Sequence, residues 1–131
     1  MTQSSRHQTV VVTGGAQGIG FSIAERLAQR GYTIAIADLR GAAAAAERLG
    51  QGAVGFDLDV SDAEAVEAAM AQAGRLHDGI HGLVNNAAVY TTLRKQPFEE
   101  IPLAEWRRVF QVNVEGVFHC CRSVAPRMRQ A

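Results

Sequence analysis

Thr13-Gly14-Gly15-Ala16-Gln17-Gly18-Ile19-Gly20 stands between a β-like run, Thr9-Val10-Val11-Val12, and a helical pattern from Phe21 to Arg30. A glycine-rich turn between a buried strand and a helix brings backbone amides and the positive end of a helix dipole against a pyrophosphate. The spacing gives three glycines separate tasks. Gly14 allows the tight turn off the strand, Gly18 leaves no side chain between backbone and phosphate, and Gly20 lets the helix pack closely on the sheet. A second strand-like run, Thr33-Ile34-Ala35-Ile36-Ala37, ends at Asp38, about 20 residues beyond the turn. A carboxylate at that spacing is placed to accept hydrogen bonds from ribose hydroxyls. Turn and acid together describe a dinucleotide site.

Other polar residues invite competing readings. Asp57 and Asp59 alternate at the end of a third run. Paired carboxylates serve acid–base or metal chemistry, but neither has a partner nearby in sequence, and Asp57 reads as structural or solvated. Asn85 closes a fourth run, where its amide is expected to tie neighbouring backbone together. Asn113 interrupts an apolar stripe made by Trp106, Phe110, Val117 and Val124 at helical spacing. A buried amide left unpaired costs about 1–3 kcal/mol. Asn113 therefore either organises water in a site or is a satisfied core amide that bends its helix. His77 and His81 are four apart, but Gly79 and a strand start lie between them, and His119 has no partner at metal spacing. No metal site is expected. Tyr90 either lines a substrate cavity or caps a loop.

The elements that must hold these residues alternate. Strands are expected near 9–13, 33–37, 53–57 and 80–84, and helices near 18–30, 42–49, 61–73 and 103–128. Gly31, Gly50 and Gly74 stop the first three helices. Ser61-Asp62-Ala63-Glu64 has the form of a capping box, and Pro126 is expected to kink or end the last helix. The segment 87–102 carries two prolines and no clear period. This alternation predicts an α/β fold, a Rossmann-like doubly wound parallel sheet of four strands with flanking helices. A dinucleotide site calls for strand order 3-2-1-4; a flavodoxin-like order is the alternative and has no need of Asp38.

Composition narrows the field. The 131 residues suffice for one domain with a core, and 47% of them are hydrophobic. Thirteen basic residues balance 13 acidic ones, so nothing in the charge points to nucleic acid or a membrane surface. No apolar run approaches a membrane span, and Met1 to Gln8 lack an apolar signal core. The two cysteines, Cys120 and Cys121, are adjacent and read as reduced thiols in a cytoplasmic protein.

Taken in order, these motifs resemble the N-terminal half of a short-chain dehydrogenase/reductase. Thr13-Gly14 to Gly18-Ile19-Gly20 has the form TGxxxGxG; in the extended branch, TGxxGxxG, a glycine would stand at Gln17. Asp59-Val60 is similar to the family's Asp-Val pair. Asn85-Asn86-Ala87-Ala88 resembles its NNAG motif, with Ala88 departing from the final glycine. Asn113-Val114, followed by Gly116, resembles its helix asparagine. The resemblance implies cofactor contacts from Gly14, Gln17, Gly18, Ile19, Gly20, Asp38 and Leu39. It places Asp59 on the adenine amino group, Val60 on the adenine face, and Asn86, Ala87 and Ala88 beside the ribose and nicotinamide. It gives Asn113 a catalytic part in organising water.

The implied activity is hydride transfer between NAD and a carbonyl or secondary alcohol of a small molecule, in a homodimer or tetramer. NAD is preferred to NADP because Asp38 would oppose a 2′-phosphate and Leu39 stands where NADP-specific relatives often carry an arginine. Arg40, two residues past Asp38, is the cation nearest in sequence to oppose that preference. The family's Ser and Tyr-x-x-x-Lys are missing. Tyr90 is followed four residues later by Arg94, and Lys95 comes one too late. The domain over 1–131 is thus expected to be partial, truncated before a fifth strand and inactive alone, with its open side covered by further chain or a partner. A non-catalytic NAD-binding module or redox sensor is the alternative, and an FMN protein a distant third.

Overall fold

The computed structural model describes residues 8–131. Four parallel strands, β1 (Thr9–Thr13), β2 (Thr33–Asp38), β3 (Val54–Asp57) and β4 (Gly82–Val84), lie in the order β3-β2-β1-β4. This is the doubly wound arrangement, with its switch point between β1 and β4. The helices are α1 (Gly18–Gln29), α2 (Ala42–Leu49), α3 (Ala63–Ala73), α4 (Leu103–Phe110) and α5 (Gly116–Gln130). A π turn over Gln111–Glu115 joins α4 to α5, and a 3-10 turn, Phe98–Glu100, is the regular piece of the long connection. No helix among the described residues is long and apolar enough to cross a membrane.

Period-two alternation divides the core. Val10, Val12, Ile34 and Ile36 face α1 and α2, where they meet Ala24, Ala28, Ala42, Ala45 and Ala46. Val11, Ala35 and Ala37 face the opposite layer, with Val66 and Met70 of α3 and Cys120 and Val124 of α5. Each fully buried Val or Ile contributes about 1.5–3 kcal/mol. The small buried residues of α1 and α2 (Gly20, Ala24 and Ala28; Ala42, Ala45 and Ala46) trade side-chain volume for closeness to the layer that they cover. Cys120 and Cys121 are free thiols, and burial, aided by Cys121, pushes the Cys120 thiol up to about 11.

Three local expectations need correction. The N-cap of α3 is Asp62, whose carboxylate accepts from the Ala65 amide at 3.1 Å. Ser61 is drawn away from capping by Asp59, to which its hydroxyl donates at 2.7 Å. The stripe on the last helix does not face the core as a unit. Trp106, Phe110 and Val117 are exposed, whereas Val124 is buried. A π turn adds a residue to the helix, which rotates everything beyond it by roughly 100° relative to what precedes it. The buried line is instead Val112, Gly116, Cys120, Ser123 and Val124.

Pro126 does not end α5, which continues to Gln130. Proline removes one ladder bond, but the helix is fastened on either side of it. Ser123 donates to Glu67 at 2.6 Å, and Arg127 bridges Glu67 at 2.7 Å and the Ser123 carbonyl at 2.8 Å.

Gly116 lets α5 approach the end of β3. A Cβ there would stand 2.6 Å from Val60 Cγ2 and 3.2 Å from its Cβ. Valine is stiff about χ1 and cannot step aside. Gly116→Ala should therefore lower stability by roughly 1–2 kcal/mol, even though alanine is the better helix former by about 1 kcal/mol. The urea midpoint should fall at unchanged slope; a rise would mean that the helix simply shifts.

Candidate functional site

At the switch point the ends of β1 and β4 diverge, and a crevice of about 440 Å³ opens between them. Gly14, Gln17 and Ile19 line one side; Asp38 and Leu39 continue it past β2; Leu58, Asp59 and Val60 form the far end. Asn86, Ala87, Ala88, Val89, Tyr90 and Thr91 form the opposite wall. Ten of the residues expected to touch a cofactor thus share one crevice. A larger groove of about 720 Å³ follows the outer face of α1 past Ile23, Leu27 and Arg30. It lacks convergent polar groups from several elements, so the crevice is the better candidate.

Thr13 holds the mouth together. Its hydroxyl accepts from the amides of Asn86 and Ala87 at 3.0 and 3.1 Å and donates to the Val84 carbonyl at 3.4 Å. Asn86 donates from its side chain to the Gly14 carbonyl at 3.0 Å. The tie expected from Asn85 therefore comes from Asn86. Asn85 is exposed and donates instead to Cys121 Sγ at 3.4 Å. Gly14, at φ 64°, is left-handed and pressed against Ala87; a Cβ there would sit 2.9 Å from Ala87 Cα.

Gly18 and Gly20 do their work outside the crevice wall. Gly18, at φ 58°, has open space where a Cβ would project. Gly20 is buried, and a Cβ on it would collide with the Gly14 carbonyl. Its closeness is to the turn rather than, as expected, to the sheet. Gln17 supplies no side-chain cap to α1, and the first turn of α1 contains no acidic residue. Within α1 itself no side chain offsets the positive end of the dipole.

Asp38 is held rather than solvated. Its Oδ2 accepts from the Ala16 amide at 3.0 Å, across the glycine turn, and its Oδ1 from the Leu39 amide at 2.7 Å. Each oxygen keeps a second lone pair for a ligand. Asp59 is more tightly engaged. Its Oδ1 takes the Ser61 amide at 3.0 Å and the Ser61 hydroxyl, and its Oδ2 takes Arg108 Nη2 at 3.3 Å. Partial burial raises the Asp59 carboxyl, but the Ser61 hydrogen bonds and then the Arg108 charge outweigh it and hold the group below 3.8. Asp57 is exposed.

Asn113 stands behind the crevice, not in its wall. Its Oδ1 accepts from the Val89 amide at 2.7 Å and its Nδ2 donates to the Val89 carbonyl at 3.1 Å. One amide hydrogen and one lone pair remain for other partners. Tyr90 and Thr91 follow Val89 into the crevice mouth, and Tyr90 is 77% exposed. Phe98 joins Ile101, Leu103 and Trp106 in a separate hollow. His81 uses Nδ1 to accept from the Thr9 amide at 3.0 Å. Among the described residues no cluster of three or more His, Cys, Asp or Glu side chains is placed to hold a metal.

Sequence reasoning passed over Arg108, Ser61 and the Thr13 hydroxyl. Thr13 was visible as the first letter of the glycine motif. Arg108 left no such trace, because its partners are 47 and 49 positions away.

Residues 8–131 match the short chain dehydrogenase family. Similar proteins include a D-threitol dehydrogenase of Mycolicibacterium smegmatis, 40% identical over 95% of this chain and 48% of its own length. A sorbitol dehydrogenase of Cereibacter sphaeroides is 35% identical over 92% of this chain and 47% of its own. Among solved structures, a 3-ketoacyl-(acyl-carrier-protein) reductase of Brucella melitensis complexed with NADH superposes with TM-score 0.86 at 30% identity, covering 92% of this chain and 50% of that one. The chain belongs to the short-chain dehydrogenase/reductase family. It spans about half the length of the curated relatives that it matches.

Two measurements check this geometry. Asn113→Leu leaves the Val89 amide and carbonyl unpaired, at a cost of about 1–3 kcal/mol; exchange of the Val89 amide should speed up more than that of the β1 amides. The Asp59 carboxyl is depressed in the folded state, so its contribution to stability is complete above 3.8 and is lost as pH falls through the lower folded value. In Arg108→Met the Asp59 carboxyl should titrate closer to 3.8 by NMR than in the wild type. An unchanged midpoint would remove Arg108 from the account.

Proposed function

We propose that this chain is the coenzyme-binding half of an NAD-dependent dehydrogenase or reductase. The observation that carries the proposal is the pairing of an uncapped helix N-terminus with an amide-held carboxylate along one wall of the crevice. The residues fit a dinucleotide. Gln17 and Ile19, at the start of α1, line the crevice, where their backbone could meet a diphosphate. Asp38 would take the adenosine ribose hydroxyls, and Asp59 and Val60 the adenine. Ala87 and Ala88 are small enough to let the ribose and nicotinamide lie against the β4 loop. A bound nicotinamide supplies the hydride chemistry at its C4.

The chain's own residues bind and orient. Thr13 and Asn86 set the crevice width, and Asn113 holds Val89 and with it Tyr90 and Thr91 at the substrate end. Asn113 acts through Val89 as a positioning residue, with its spare valences free to order water. The substrate class is a small alcohol or carbonyl compound, consistent with relatives named threitol and sorbitol dehydrogenases. In the complete protein the exposed Trp106, Phe110, Val114 and Phe118 of α4 to α5 suit an oligomer contact. The free thiols suit the cytoplasm.

Charge favours NAD over NADP, with Arg40 the one nearby cation in sequence to oppose it. A 2′-phosphate carries about −2 charges, and two unit charges 4 Å apart repel by roughly 4 kcal/mol at an effective dielectric of 20. That exceeds the roughly 1 kcal/mol of a neutral hydrogen bond. Leu39 offers no compensating cation.

Fluorescence titration should show NADH bound at least about tenfold more tightly than NADPH, with Asp38→Ser narrowing the gap. Tighter binding of NADPH would contradict the assignment. The 131-residue chain should produce no NADH from NAD and an alcohol; turnover by purified chain would refute the half-site view.

A further inference from the structure

Arg108 is the one side chain of α4 that lines the crevice. Its guanidinium spans from that helix to the loop after β3, where Nη1 donates to the Ser61 hydroxyl at 3.0 Å and Nη2 to Asp59 Oδ2 at 3.3 Å. Ser61 in turn donates twice to Asp59 Oδ1. The three side chains close a ring. Both lone pairs of Oδ1 are used, and one of the two on Oδ2 is used. The carboxylate cannot rotate without breaking hydrogen bonds to Ser61 or Arg108, and it has a single acceptor position left for a ligand. Arginine suits this task because its planar fork reaches two acceptors at a fixed angle, whereas lysine is a point donor on a flexible stem.

The same helix carries Asn113 five residues on, at the Val89 wall. One continuous helical segment therefore braces both ends of the crevice, and Arg108 braces the end assigned to the base. The Arg108 side chain is 41% exposed and that of Asp59 37%, so the ring lies at the rim, within reach of a ligand.

We propose that Arg108 is a positioning residue for base recognition: it holds the Asp59 carboxylate with one acceptor site presented to the exocyclic amine of a purine, and thereby sets a preference for adenine over bases that lack that amine. This rests on the coenzyme assignment made above. A hypoxanthine base, with a carbonyl oxygen in place of the amine, would meet a fixed carboxylate acceptor to acceptor. A carboxylate freed from Arg108 can swing away from that conflict, so the discrimination falls.

The test is a set of fluorescence titrations of the 131-residue wild type, Arg108→Met, Asp59→Ala and the double variant. The ligands are NADH, its hypoxanthine analogue and reduced nicotinamide mononucleotide, which has no base at that end. The wild type should prefer NADH to the hypoxanthine analogue by about tenfold, the worth of one charge-assisted hydrogen bond. Arg108→Met should reduce that preference to about twofold or less. Adding Arg108→Met to Asp59→Ala should cause no further loss, because Arg108 acts through Asp59. Arg108→Lys should restore the preference only in part, and affinity for the mononucleotide should be the same in all variants.

A wild-type preference retained in Arg108→Met, an equal loss for NADH and the mononucleotide, or a wild type indifferent to the base overturns the inference while leaving the coenzyme assignment standing. A wild type that binds none of the three ligands overturns the coenzyme assignment and this inference with it.

Discussion

Two neighbouring strands that part company leave backbone amides with no ladder partner, and the whole crevice depends on how that debt is met. Beyond Val84 the chain leaves β4, and the amides of Asn86 and Ala87 turn to the Thr13 hydroxyl. Thr13 is almost fully buried, so these bonds are sheltered from competing water. Asn86 returns the connection by donating to the Gly14 carbonyl. The glycine turn and the β4 loop are thereby a single unit, and their separation is set by the sheet rather than by loop flexibility. Orphaned amides in such a place would cost as much as the burial of a whole side chain contributes.

The electrostatics follow from that arrangement. The turn brings Gln17 and Ile19, at the start of α1, into the crevice wall, and that helix has no side-chain cap of its own. Asp38 lies on the same side, yet its carboxylate is turned to the Ala16 and Leu39 amides. Within one wall the Asp38 carboxylate is thereby anchored to the glycine turn, and each of its oxygens keeps a free lone pair. The far end of the crevice is handled in the same way, with Asp59 tied to Ser61 and Arg108.

The helical segment from Leu103 to Gln130 is the brace behind these walls. Arg108 reaches the loop after β3, Asn113 grips Val89, Gly116 closes on Val60, and Arg127 locks to Glu67. Its π turn, spanning Asn113, permits this. An uninterrupted α-helix would carry Trp106 and Val124 on one face, whereas here one meets solvent and the other the core. The exposed aromatic pair Trp106 and Phe110, with ring centroids 4.9 Å apart, is a by-product of the same rotation.

The strand order followed only from expecting a dinucleotide site, and the place of Asp59 only from the family resemblance; local pattern was enough to determine the alternation of strands and helices, the glycine turn, and Asp38 as the acid that closes β2. Each of these rests on signals that lie within a few residues of one another: apolar periodicity, glycine at a turn, an acid at a strand end. What only the tertiary structure decided are the contacts between segments far apart in the chain. That Asn86 rather than Asn85 ties the turn, that Ser61 serves Asp59 instead of capping α3, that Asn113 spends its amide on Val89, and that Arg108 joins the site are all of this kind. The physical reason is that a polar group commits to whichever partner burial leaves it, and that partner is chosen by the packing of whole elements. The π turn belongs here too, since a shift of helical phase is stabilised by the surfaces on either side of it and not by the five residues that form it.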